Sequence, residues 1–229
     1  MEKNKTKEMY DLLYEKYGDF PNSKRFTKLI IKSLNPKPNR KLIDVGCGAG
    51  HLLKEFEKLN LRTYGIDISK RIIELARKNC KGELKIADGE KIPYKDNEFD
   101  YVVSIGCLEH YNNTEKGIRE LARILKPEGL ALIYVPNTFF IADVINVLFK
   151  GDIRKHIQEV NKTQTKEAWK KLLRKNGLRI VSVKKNNVFA HFSLRKKFMK
   201  KTIYLLFQDL IPLNFCYHFI FLCKKETGK

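Results

Sequence analysis

A short apolar strand running straight into three alternate glycines restricts this chain more than any other feature. Residues Lys41–Val45 read as a buried strand, and Gly46-Cys47-Gly48-Ala49-Gly50 follows at once, with a helix expected over 50–59. Glycine lets the backbone turn tightly and approach a ligand closely. The start of the helix presents unpaired N–H groups. A strand, glycine turn and helix in succession belong to α/β folds with a parallel sheet. The chain continues in that alternation. Strands are expected at 62–66, 83–87, 99–104 and 130–135, with Asp67 and Asp88 at the ends of the second and third. Ser69 can cap a helix over 70–79, and Thr114 one over 115–125 that Pro127 and Gly129 stop. Upstream, 6–17 places Met9, Leu12, Leu13 and Tyr17 at helical spacing, and Asn22 or Ser23 can cap a helix ending near Leu34. Downstream, 138–149 reads as an apolar helix, and Thr165 caps a helix to Asn176 that Gly177 closes. A half-buried strand follows at 178–185, then a basic amphipathic helix at 194–207. A last strand at 214–223 is apolar on both faces and so is expected to be central or covered.

The acids at the strand ends say what the glycine turn holds. Asp67 lies 17 residues past Gly50, where a carboxylate can accept from both hydroxyls of a ribose. Asp88 can accept from an exocyclic amine such as that of adenine. A dinucleotide site normally reads G-x-G-x-x-G. Here the spacing is G-x-G-x-G, with Asp44 just before it. A carboxylate there repels a pyrophosphate and suits an ammonium group. An adenosine with an amino-acid arm in place of phosphates meets these conditions, which points to S-adenosylmethionine.

Composition bounds the rest. A chain of 229 residues, 43 % apolar and 31 % charged, carries enough core for one folded domain and is too apolar for a disordered one. Its five cysteines are scattered, without a C-x-x-C pair or Cys/His ligand spacing, so neither a disulfide framework nor a metal site is expected. The opening MEKNKTKEMYDLL has no apolar run of the kind a secretory signal needs. The most apolar long stretch, 202–223, is interrupted by Asp209, Pro212 and Asn214. A cytoplasmic protein is expected. The formal net charge is +20, and it is uneven. Residues 1–149 hold 26 basic and 21 acidic side chains, whereas 150–229 hold 20 and 5. Such a skew points to a polyanionic neighbour: nucleic acid, an anionic membrane surface or an acidic substrate.

Four segments together resemble the class I S-adenosylmethionine-dependent methyltransferases, in particular the small-molecule group called type 11. They are LIDVGCGAG (42–50), GIDIS (65–69), IADGEKIPYKDNEFDYVVSIGCLEHY (86–111) and LKPEGLALIYVPN (125–137), and the resemblance spans roughly 40–186. It implies a Rossmann-like, doubly wound α/β fold whose seven-stranded sheet is mostly parallel with an antiparallel last strand. It further implies that Asp44, Gly46 and Gly48 lie at the methionine arm, Asp67 at the ribose, and Asp88 and Gly89 at adenine. Ile68 joins this cofactor-binding set, and Ser104 and Ile105 line the place of methyl transfer. Tyr10, Tyr14 and Tyr17 fall in a helix that commonly covers the cofactor in this family. S-adenosylhomocysteine is the implied product. The expected organisation is a single domain over 1–229. In it, 1–40 forms a helical cover, 41–135 the cofactor-binding core, and 138–162 and 187–213 the substrate-side insertions.

A general base is needed only where the acceptor carries a proton in the way. Glu109 and His110, just after the fourth strand, and His156 are the candidates. No Asn/Asp-Pro-Pro-Tyr/Phe follows that strand; the place reads Ser104-Ile105-Gly106-Cys107, unlike enzymes that methylate exocyclic amines. No Pro-Cys dipeptide of a pyrimidine C5 enzyme occurs. The expected acceptor is a small-molecule or lipid-like organic compound, with contact to an anionic membrane surface through the basic helix 194–207. The alternatives are an RNA methyltransferase using the basic last third, and a non-catalytic partner subunit that binds S-adenosylmethionine.

Overall fold

A computed structural model of the chain describes residues 23–151, 162–187 and 210–226. Tyr10, Tyr14, Tyr17, His156 and the basic segment 194–207 lie outside the described residues.

Seven strands form one sheet in the order β3-β2-β1-β4-β5-β7-β6. They are β1 (Lys41–Val45), β2 (Arg62–Asp67), β3 (Glu83–Ile86), β4 (Phe99–Ile105), β5 (Leu125–Pro136), β6 (Leu178–Asn186) and β7 (His218–Lys225). The pairs among β1 to β5 are parallel, whereas β7 runs antiparallel to both neighbours, β5 and β6. This is the mostly parallel sheet with an antiparallel last strand that the resemblance implies, and of the two places open to a strand with two apolar faces, central or covered, β7 takes the central one. The direction in which strands are added reverses between β1 and β4. In open α/β sheets that reversal opens a crevice outside the carboxyl ends of the strands.

Alternation along each strand feeds two cores. Leu42, Val103, Leu132, Tyr134 and Ile220 face helices α1 (Lys24–Leu34), α2 (His51–Glu57) and α3 (Lys70–Asn79), which contribute Phe26, Ile30, Leu53, Phe56 and Ile73. Ile43, Val45, Val102, Ile133 and Phe221 face α4 (Thr114–Ile124) and α6 (Lys166–Lys175), which contribute Ile118, Leu121, Trp169 and Leu173. Helix α5 (Ile141–Lys150) buries no residue. No helix among the described residues is long and apolar enough to cross a membrane.

Several boundaries differ from the sequence reading, three of them for a physical reason the contacts show. Asn113, not Thr114, caps α4, its side chain accepting from the Lys116 amide. The helix is not ended by Pro127 and Gly129: β5 begins at once at Leu125 and contains both. The β4–β5 register shifts between Phe99 and Tyr101, and such an irregularity accommodates a proline that cannot join the ladder. The last strand starts at His218 rather than 214. The Asn137 side-chain amide donates to the Asn214 and Cys216 carbonyls at 2.8 and 2.9 Å, which holds that stretch as a loop with the short turn Leu213–Phe215.

Candidate active site

The strands of the parallel part end in near-register, with Asp67 opposite Ile86 and Ile105 opposite Tyr134, so one rim collects the glycine turn and the acids at the strand ends. At its centre is the turn after β1. Gly46 and Gly48 adopt φ of +82° and +51°, a left-handed conformation that side-chain-bearing residues rarely take. The Gly46 and Cys47 amides donate to the Ile66 carbonyl, tying the turn to β2. Asp67 reinforces this: Oδ2 accepts from the Gly48 amide and Oδ1 from the Ser69 amide, both at 3.0 Å. The acid expected at a ribose therefore also shapes the loop beside it. Asp88 sits past β3, with Oδ1 accepting from the Glu90 amide at 2.8 Å.

Asp44 is buried on the same face as Leu42, and its Oδ1 has no hydrogen-bond partner. Burial, with the charge of Asp67 added, pushes its carboxyl up to about 7. Ser104, near the end of β4, is buried with its hydroxyl unpartnered, and so is Oε2 of Glu109 in the turn Leu108–His110. Buried polar atoms seldom lack partners, and three at one rim mark a place shaped for a polar ligand. Burial pushes Glu109 up to about 8 and holds His110 down at about 4. The ammonium and carboxylate of an amino-acid arm, followed by an adenosine, fit this donor and acceptor set. Asp44 offers an unmet acceptor for the ammonium, and Asp67 and Asp88 follow in the order of ribose and adenine. S-adenosylmethionine thus suits the residues present.

Beyond β4 the rim turns aromatic. The Tyr134 ring stacks on His218 at 4.4 Å, and Tyr217 meets His218 edge-on at 4.3 Å. The Asn186 side-chain amide donates to the Tyr134 hydroxyl at 2.9 Å. No motif announces this cluster, because β5, β6 and β7 bring it together from positions up to 84 residues apart. Alternation in β5 and β7 does place Tyr134 and His218 on one face, which is the only sequence signal for it. The structure brings together Asp44, Gly46, Gly48, Asp67, Ile68, Asp88, Gly89, Ser104, Ile105, Glu109 and His110 at the strand ends.

Comparison with known proteins bears on the fold and on the cofactor. Residues 43–133 match the family model described as "Methyltransferase domain", type 11. The match places a methyltransferase domain of the type 11 group, the class I kind that uses S-adenosylmethionine, at residues 43–133 of the chain. An uncharacterized protein of Methanocaldococcus jannaschii is 31 % identical over 157 residues, covering 67 % of this chain and 61 % of its own length. A probable tRNA methyltransferase 9B of Mus musculus is 37 % identical over 102 residues, covering 43 % and 22 %. A demethylmenaquinone methyltransferase of Corynebacterium kroppenstedtii is 31 % identical over 128 residues, covering 53 % and 55 %. The chain thus spans less than two thirds of these relatives. Among solved structures, a complex of the Haloferax volcanii Trm112 methyltransferase activator with a methyltransferase superposes with a TM-score of 0.66. It is 16 % identical and covers 87 % of this chain and 88 % of that one, a likeness of fold alone.

Proposed function

We propose that this protein transfers a methyl group from S-adenosylmethionine to a small-molecule or lipid-like organic acceptor. The observation that carries the cofactor half is the buried Asp44 carboxyl with an unmet oxygen, set between a left-handed glycine turn and two further strand-end acids. Asp44 would take the ammonium, Asp67 the ribose hydroxyls and Asp88 the exocyclic amine. Gly46 and Gly48 admit the chain of the amino acid, and Ser104 and Ile105 border the reacting centre. When bound, the cofactor supplies an electrophilic methyl on a sulfonium. The protein's task is then to orient the acceptor and exclude water, worth up to about 7–11 kcal/mol for a well-aligned pair.

Of the residues expected to handle a proton, Glu109 is the better matched. A base works best with a pKa near the operating pH. Glu109, at about 8, meets that condition, whereas His110, at about 4, is a neutral but weak acceptor. Glu109 Oε1 lies 3.6 Å from where a Cβ on Gly106 would stand, directly past the end of β4.

The acceptor half is supported by the aromatic character of the rim beyond β4 and by α5, which exposes Leu148 and Phe149 at 74 % and 84 %. A lipid-like acceptor, met at an anionic membrane surface, suits such a helix on so basic a chain. RNA is the second reading. It is favoured by the skew of positive charge and by the relative named as a probable tRNA methyltransferase. Incubating the protein with methyl-labelled S-adenosylmethionine and a cell extract, then separating lipid, aqueous small molecules and RNA, decides between them. Label in the first two fractions is expected. Label in RNA overturns the acceptor assignment, and label in none overturns the enzyme.

A further inference from the structure

Tyr111 closes the segment 86–111 with no role assigned to it, yet its side chain reaches into the space between the acids assigned above to adenosine. It follows the turn Leu108–His110 and runs back toward the ends of β2 and β3. Two glycines make room for it. A Cβ on Gly89 would overlap the phenol oxygen, and one on Gly117, in the first turns of α4, would overlap the ring. Neither glycine has a positive φ, so both are needed for space and not for backbone conformation. The phenol oxygen accepts from the Cys107 thiol at 3.2 Å. Cys107 in turn packs on Gly46, its Sγ 2.5 Å from where a Cβ would stand. A continuous wall therefore runs from the glycine turn through Cys107 and Tyr111 to Gly89, from the methionine end of the site to the adenine end. The Lys162 ammonium fixes this wall from behind, donating to the Tyr111 and Asn112 carbonyls at 2.8 and 2.6 Å.

The chemistry of the three groups is complementary. Asp67 and Asp88, when ionised, only accept. They can read the ribose hydroxyls and the exocyclic amine, but not the ring nitrogens of adenine, which need a donor. Tyr111 supplies one, because its oxygen already accepts from Cys107 and its own proton remains to give. Burial, with the charges of Asp88 and Asp67 added, holds the phenol protonated well beyond the usual range.

We propose that Tyr111 is a cofactor-binding residue whose hydroxyl donates to a ring nitrogen of adenine, completing the recognition begun by Asp67 and Asp88. This rests on the cofactor reading above. The test is calorimetric titration of the full chain and of Tyr111→Phe with S-adenosylhomocysteine and with its 1-deaza, 3-deaza and 7-deaza analogues. The variant should bind S-adenosylhomocysteine about 3- to 10-fold more weakly, the usual loss for one neutral hydrogen bond. One of the three deaza analogues should bind both proteins equally, because it lacks the atom that Tyr111 contacts. Gly89→Ala, which displaces the phenol without altering its chemistry, should also weaken binding. Equal affinity of wild type and Tyr111→Phe for S-adenosylhomocysteine overturns the inference. So does an equal loss on all three analogues, which would make Tyr111 a packing residue. Failure of the unaltered protein to bind S-adenosylhomocysteine would instead overturn the cofactor reading on which the inference stands.

Discussion

Asp44 holds its proton to about pH 7 because burial and the Asp67 charge disfavour a second anion. A ligand ammonium placed against its unmet Oδ1 reverses that preference. Binding of S-adenosylhomocysteine at pH 6 should therefore release a proton. Calorimetry in buffers of different ionisation enthalpy will show it, and Asp44→Asn should abolish it. Proton-neutral binding at pH 6 contradicts the placement of the ammonium. Asp67→Ala should weaken cofactor binding by about 1.5–3 kcal/mol, the range for a hydrogen bond to a charged group. Because Asp67 also holds the Gly48 and Ser69 amides, the comparison needs Asp67→Asn, which keeps an oxygen for one of them. Glu109 carries a stability consequence of its own. The folded protein keeps this proton to about pH 8, whereas the unfolded chain loses it near 4.5. Between those values the folded state binds more protons, so the contribution of Glu109 to stability falls as pH rises. Melting temperatures taken from pH 5 to 8 should decline less steeply in Glu109→Gln than in the unaltered protein. An identical slope would mean that Glu109 is ionised when folded.

The loops that carry these residues are held by side chains far away in sequence. Arg123 at the end of α4 donates to Glu120, to Asp96 and to the Ile92 and Tyr94 carbonyls, at 2.7 to 2.9 Å. It clamps the segment that follows Asp88 and Gly89. Asn137 pins the start of the segment 138–162, and the Thr138 amide donates to the Gln164 carbonyl, so the two ends of that segment lie side by side. Asn137→Ala should cost about 1–3 kcal/mol in denaturant unfolding, the penalty for leaving the buried Cys216 carbonyl unpaired. A loss below about 0.5 kcal/mol, the level of an ordinary surface change, would show that the tie does not hold the loop. Neither tie is legible in the sequence, since Arg123 reads as an exposed helix residue and Asn137 as a loop residue. What was legible is what local chemistry dictates. Strand, glycine turn and acid sit within a few residues of each other, and Ser23, Ser69 and Thr165 cap their helices as expected. The aromatic rim of Tyr134, Asn186 and His218 was not, because it exists only once β7 inserts between β5 and β6.

Under the proposed function, charge and apolar exposure together decide where the protein meets its acceptor. A net charge of +20 draws the chain toward any polyanion, and α5 adds apolar side chains that no other described element covers. Nucleic acid and membrane answer these two features differently. Each basic residue held near an anionic membrane contributes about 1 kcal/mol, and salt removes that attraction within a Debye length of about 10 Å at 0.1 M. Insertion of Leu148 and Phe149 adds a part that salt does not screen. Sedimentation with phosphatidylserine-containing vesicles should therefore show binding that salt weakens to a residual level rather than to zero. Leu148→Ser together with Phe149→Ser should remove the residue at high salt while leaving the affinity for S-adenosylhomocysteine unchanged. Binding to RNA should instead fall along a single steep line in log salt and ignore the two substitutions. Equal partition of wild type and double variant at every salt concentration would mean that α5 stays out of the lipid. The apolar helix would then have to be explained by the acceptor itself.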